Sequence, residues 1–274
     1  MPFFSYGQAK IKEIREINPI YKTLKYSFPL VVIPQNQKIA DKINNNLVSD
    51  FLDADRTKIK KSIFENVWAT KEMPNPTLSD ISFKVLSNDR NVLNISIFAQ
   101  GCGAYCEGFT TYYSYNLKSG ARIVLDSLFN EEGIKLLIDS MNKKKKEILS
   151  LKLKEIKDTL STLAVQKDSI DKESHEEMVT LYTECMDKEI KSLGYQQFYI
   201  TNSSLYVISD RCSAHYNMTI DDLWSFKFTF SLETLKPYFT NYAIRLLKKK
   251  FDHLLSLNFV PSNHQNFSTK KFLL

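Results

Sequence analysis

Between Tyr21 and Ile33 the apolar residues Leu24, Tyr26, Phe28 and Leu30 alternate with Thr23, Lys25, Ser27 and Pro29, a period of two that predicts a half-buried strand. Pro29 cannot donate a ladder hydrogen bond, so the strand is expected at a sheet edge or to end its pairing there. From Gln37 the period changes. Ile39, Ile43, Leu47 and Phe51 recur every four positions, and Ile59, Ile63 and Val67 continue that spacing after Asp53-Ala54-Asp55, which predicts two short amphipathic helices. Pro74-Asn75-Pro76 then breaks the chain. Ile81, Phe83 and Val85 alternate ahead of Asn88-Asp89-Arg90-Asn91, and Leu93, Ile95, Ile97 and Ala99 alternate after it, the pattern of an antiparallel hairpin. The turn Gly101-Cys102-Gly103-Ala104-Tyr105-Cys106 follows. A Tyr- and Thr-rich run from Phe109 to Leu117 and the apolar Ile123-Val124-Leu125 beyond Lys118-Ser119-Gly120 predict a third and a fourth strand.

From Leu128 to Leu193 there is no proline and Gly133 is the only glycine, with Asp126 placed to cap the start and Gly194 to cap the end; this predicts a helical middle. Phe198, Ile200 and then Leu205, Val207 flank Asn202-Ser203-Ser204 as another hairpin. Arg211 to Asp222 reads as a polar loop. Trp224, Phe226, Phe228 and Phe230 alternate as a strand, and Ser231 is a cap for a last helix through Ile244, Leu247, Phe251 and Leu254. The order does not alternate as βαβ units would. The expected class is therefore α+β, an antiparallel sheet packed by helices with a long helical insertion in the middle of the chain. Residues 1–20 are expected as an N-terminal extension and 21–130 as an N-terminal α+β half. Residues 131–260 form the helical middle plus the C-terminal sheet and helix of the same compact unit, and 261–274 a frayed tail.

A chain of 274 residues, 43% hydrophobic and 25% charged, has enough apolar material for a buried core. Its net charge of +6 is a small difference between 37 basic and 31 acidic residues, a weak case for nucleic acid as partner. Lys143-Lys144-Lys145-Lys146 lies among acidic residues without an aromatic platform, so it reads as a solvated helix face. No stretch approaches the roughly 18 consecutive apolar residues that span a bilayer. A membrane connection is expected only through an N-terminal leader or lipid anchor ahead of Met1.

Phosphate loops, dinucleotide fingerprints, nucleophile elbows and His-Glu-x-x-His helices are missing from the sequence. His175-Glu176-Glu177 comes nearest to the last, but Val179 stands where the second histidine belongs. Asp221-Asp222 and Glu131-Glu132 are neighbours in sequence, so the members of each pair point apart, and capping or solvation accounts for them. The four cysteines, Cys102, Cys106, Cys185 and Cys212, are disulfide candidates in an oxidising compartment, with three possible pairings. A bridge from the 102/106 turn to Cys185 or Cys212 would tie the sheet to the helical middle or to the polar loop. Alternatively Cys102, Cys106, Cys212 and His215 supply the three sulfurs and one imidazole that suit tetrahedral zinc. Tyr105, Phe109, Tyr112, Tyr113 and Tyr115 concentrate aromatic area, with Tyr113 and Tyr115 on one face of the strand and Tyr112 on the other. One group is expected in the core and the other at the surface.

Several short segments are similar to the RsiV-like extracytoplasmic domain family: Tyr26-Ser27-Phe28-Pro29, Ile43-Asn44, Asn94-Ile95-Ser96-Ile97, Tyr115-Asn116-Leu117-Lys118-Ser119-Gly120 with Leu125, Leu128 and Phe129, Phe198-Tyr199-Ile200-Thr201, and Phe228-Thr229-Phe230-Ser231 with Leu235. That family includes anti-sigma factor ectodomains, the N-terminal domain of PdaC-type peptidoglycan deacetylases, and stand-alone envelope proteins of unknown function. Two cysteines here replace its plain glycine-rich turn, and no deacetylase domain follows. Lysozyme, the cationic ligand of the sensors, would be repelled by a +6 chain. The resemblance implies a periplasmic or cell-surface, non-enzymatic domain without cofactor that binds an envelope protein or glycan. Tyr105, Tyr112, Tyr113, Arg211 and His215 are the expected ligand-binding residues. A zinc-binding or hydrolytic envelope enzyme, and a structural envelope protein or inhibitor, are the alternatives.

Overall fold

The computed structural model describes residues 8–68, 77–102, 106–166 and 169–257, with backbone only at 102, 106, 164–166, 169–171, 215–217 and 252–257. Pro74-Asn75-Pro76, Tyr105 and the 261–274 tail lie outside the described residues, as do the side chains of Cys102, Cys106 and His215. The described residues form five α-helices and three antiparallel sheets, an α+β fold with a long helix in its middle.

Strand β2 (Lys25–Val32) pairs with β1 (Lys10–Ile17), with Ile14 opposite Phe28. The segment expected as a plain extension thus contains a strand. Lys10, Lys12, Glu13 and Arg15 stand exposed along β1, leaving only half-buried Ile11 and Ile14 to signal it. Charge on an outer strand is also what discourages pairing with other chains.

Helix α1 (Gln37–Leu52) begins where the Asn36 side chain accepts the Ile39 N–H at 3.2 Å, and ends at Asp53 in the left-handed conformation, φ 48°. It buries Ile43, Leu47 and Phe51 of the expected stripe, while Ile39 is half-buried and Ala40 beside it is buried instead. No second helix covers 59–67. The Asp55 carboxylate caps the Thr57 N–H at 3.0 Å and the Ser62 hydroxyl caps Phe64 at 3.0 Å, so the chain runs in turns. Fully buried Phe64 still packs on Tyr26 and Phe28.

Strands β3 (Leu78–Asn88), β4 (Val92–Cys102) and β5 (Cys106–Asn116) form a meander, with Cys102 and Cys106 directly opposed in register. Ile123-Val124-Leu125 is not a fourth strand: a single bridge joins Arg122 to Tyr115, and Asp126–Leu128 turns as a 3-10 helix. Asp126 opens that turn, and Asn130 caps the long helix instead by accepting the Gly133 N–H at 2.8 Å. Helix α2 (Glu131–Gln166) has 36 residues, about 54 Å at the usual rise. Helix α3 (Ser169–Asp187) returns along it and ends seven residues short of Gly194, which therefore caps no helix.

Strands β6 (Gln197–Ile200), β7 (Ser204–Ser209) and β8 (Phe226–Ser231) make the third sheet. The expected last helix is divided: α4 (Leu232–Leu235) gives way to a 3-10 turn containing Pro237, and α5 (Asn241–Leu257) restarts after the Thr240 hydroxyl accepts the Ala243 N–H at 3.2 Å.

Two apolar clusters result. One lies among β1 to β5 and α1, the other among α2 to α5 and β6 to β8. Asn94, fully buried on β4, joins them. Its amide donates to the Ile200 carbonyl at 2.9 Å and accepts the Ile200 N–H at 3.1 Å, replacing a neighbouring strand. The same amide donates to Ser87 and accepts from Ser114, each at 2.6 Å. Asn44 grips Val31, and Asn142 grips Ile190, in the same two-bond manner.

Candidate recognition cleft

A cleft of about 550 Å³ opens where the two halves meet, between the start of β5 and the segment after β7. It is lined by Glu107, Phe109 and Tyr112 of β5, by Asp210, Arg211 and Trp224, and by Gln197. The Glu107 carboxylate and the Arg211 guanidinium are ion-paired across it, each side chain less than one-fifth exposed. The Gln197 side chain is held in place because its Oε1 accepts the Tyr112 backbone N–H at 2.9 Å.

The 210–225 wall has little helix or strand to support it and is fastened from outside. Cys212 is bonded to Cys185 of α3, with Cα atoms 5.4 Å apart. The buried Asp221 carboxylate accepts from Tyr182 Oη at 3.1 Å, from the Ser213 N–H at 2.9 Å and from the Leu223 N–H at 3.0 Å. Tyr182 Oη in turn accepts the Asp222 N–H at 2.9 Å, and Lys152 of α2 pairs with Asp222 at 3.1 Å. Burial, aided by the Asp221 charge, raises the Tyr182 phenol well above its ordinary range, which keeps it a hydrogen-bond donor.

Trp224 stands at the end of this wall, 56% exposed, on backbone with φ 51°. Phe109, whose ring lies 6.0 Å from that of Phe51 on the face of β5 away from Tyr112, is 40% exposed. Ser213 Oγ, buried at the edge of the cleft, has no hydrogen-bond partner among the described residues. Half-buried Tyr112 stacks on Tyr199 at 5.3 Å, and Tyr199 on Tyr206 at 4.5 Å. The Lys227 ammonium lies 4.8 Å from the Tyr206 ring. Burial, reinforced by Tyr199, pushes the Tyr112 phenol upward, so Tyr112 stays uncharged at neutral pH.

The structure brings Tyr112 and Arg211 together in one cleft but not Tyr113. Tyr113 is 1% exposed and faces the core, its ring covered by Arg122 at 4.9 Å, because the strand alternation sends it to the side opposite Tyr112. Tyr115 shares that buried face, its hydroxyl donating to Asn46 at 2.6 Å. The Cys185–Cys212 bond also corrects two expectations. It rules out a bridge from the 102/106 turn to either residue, and it removes Cys212 from the zinc set Cys102, Cys106, Cys212 and His215, since a bonded sulfur is no thiolate ligand. Among the described residues no group of three or more His, Cys, Asp or Glu is arranged around a metal.

Comparison with known proteins bears on the fold. No family model and no curated protein matches the sequence. The structure is similar to the crystal structure of a DUF3298 family member from Bacteroides fragilis, at 14% identity and a TM-score of 0.51, over 89% of this chain and 99% of that one. This chain shares that protein's fold. A DUF3298 family protein from Pseudomonas aeruginosa aligns over 85% of this chain and 94% of its own at 10% identity, with a TM-score of 0.44.

Sequence reasoning missed Glu107, Gln197 and Asp210 and placed Trp224 inside a strand. One local signal existed: Glu107 follows Cys106 and Arg211 precedes Cys212, opposite charges each beside a cysteine.

Proposed function

We propose that this chain is a non-enzymatic recognition domain of the cell envelope, periplasmic or at the cell surface, and that the cleft between β5 and residues 210–225 receives an envelope-associated ligand. Trp224 carries the reading. A bulky residue at positive φ costs on the order of 1–3 kcal/mol, and such strain concentrates at ligand clamps. Here the strained residue also leaves its indole 56% exposed beside a concave site on a fastened loop. The Cys185–Cys212 bond supports an oxidising compartment, since structural disulfides are rare in the cytosol. The resemblance to RsiV-like domains points the same way. Binding is favoured over catalysis because Glu107 is engaged by Arg211 and so is set for positioning.

The test is retention of the purified domain on a cell-envelope fraction of the source organism. The double variant Arg211→Ala/Trp224→Ala is expected to fold with its disulfide intact and to lose retention. Retention equal to the unsubstituted protein refutes the assignment of the cleft.

A further inference from the structure

We infer that the ligand of this cleft is a short glycan segment, neutral or bearing amino groups; the inference rests on the reading of the cleft as the recognition site. A sugar ring has an apolar C–H face and a rim of hydroxyl groups. The cleft offers both complements. Trp224 presents a rigid aromatic face, and Asp210, Arg211 and Gln197 are planar groups able to make paired hydrogen bonds to adjacent hydroxyls. Ser213 Oγ adds a buried polar atom at the cleft's edge that has no partner among the described residues. Its volume of about 550 Å³ falls within the roughly 300–1,000 Å³ of sites that enclose small ligands.

Charge selects among glycans. The described lining contains one cation, Arg211, against two carboxylates, Glu107 and Asp210, and Glu107 already pairs with the cation. A phosphate or uronate entering the cleft meets a net negative wall, whereas a neutral or amino sugar does not.

Two arms test this. Envelope fractions are treated with protease or with periodate, which cleaves the vicinal diols of sugars, before the retention assay. Retention is expected to survive protease and to be lost after periodate. The opposite pattern, with the Arg211→Ala/Trp224→Ala variant still deficient, makes the ligand a protein and overturns the glycan inference while the cleft stands. A double variant retained like the unsubstituted protein overturns the cleft itself. In the second arm Trp68→Phe leaves Trp224 as the sole indole of a chain with two tryptophans. Its fluorescence is titrated with N-acetylated chitotriose, its deacetylated form, and trigalacturonate. A saturable change is expected with at least one of the first two, and isothermal titration calorimetry, which needs no indole, is expected to show that affinity weakened about tenfold by Trp224→Ala as stacking area is lost. A saturable change with trigalacturonate alone, or with none of the three, overturns the inference.

Discussion

Replacing both members of the Cys185–Cys212 bridge by alanine removes the covalent anchor of the cleft wall, and the cost follows from the structure. The bonded residues are 27 apart in sequence. In the chain-entropy model a closed loop of that length restricts the unfolded ensemble by about 12 cal/mol/K, or about 3.6 kcal/mol at 25 °C. Cys185 is 3% exposed, so its truncation adds a small packing loss, bringing the total to about 4 kcal/mol. For a chain of this size that is roughly 8–16 °C of melting temperature. The Asp221 and Tyr182 contacts remain in the variant, so residues 210–225 stay seated in the native state and the loss falls mainly on the unfolded side. Urea unfolding of the oxidised protein and of Cys185→Ala/Cys212→Ala, without reductant, measures it. A loss below about 1 kcal/mol, or non-reducing mass spectrometry showing both cysteines as thiols in protein purified from its native host, refutes the reasoning.

Asn94→Leu keeps the side-chain volume but orphans the Ile200 N–H, while the Ile200 carbonyl retains Ser87 Oγ at 2.7 Å; a loss of about 2–4 kcal/mol in urea unfolding is expected, and a change under 0.5 kcal/mol contradicts the bridging role. Gly133→Ala ordinarily strengthens a helix by about 1 kcal/mol. Here the new Cβ would meet Tyr238 Cβ at 2.7 Å and its carbonyl oxygen at 3.0 Å, so thermal denaturation should show a loss of about 1–3 kcal/mol, and a raised melting temperature would show the site to be roomier than described. The Thr57 hydroxyl, followed by Lys58, lowers the Asp55 carboxyl to about 2. Because the folded value lies below the ordinary 3.8, the stabilisation is present above pH 3.8 and disappears as pH falls toward about 2. Carboxyl titration by NMR should place Thr57→Val well above the unsubstituted protein; coincident midpoints would disprove the cause.

Strands β2, β4 and β8 and helix α1 were legible because their apolar residues recur with a local period that a sequence displays directly. The same signal misled at Ile59, Ile63 and Val67. Spacing encodes which residues are buried, not which backbone groups bond, and the Asp55 and Ser62 caps divert those groups into turns. It also concealed β1, where a charged outer strand buries too little to show a pattern. Within the site, Arg211 and Tyr112 could be singled out by residue type, whereas Glu107, Asp210 and Trp224 could not.

The sequence by itself determined the α+β class, the helical middle and the opposite faces of Tyr112 and Tyr113, all consequences of neighbours within one or two turns of chain. Only the tertiary structure decided which cysteines meet, that Asn94 takes the place of a strand between two cores, and that Glu107 reaches Arg211, 104 residues away in sequence. Such pairings depend on how sheets and helices dock. Docking is governed by the summed burial of two separate cores, and no local period records it.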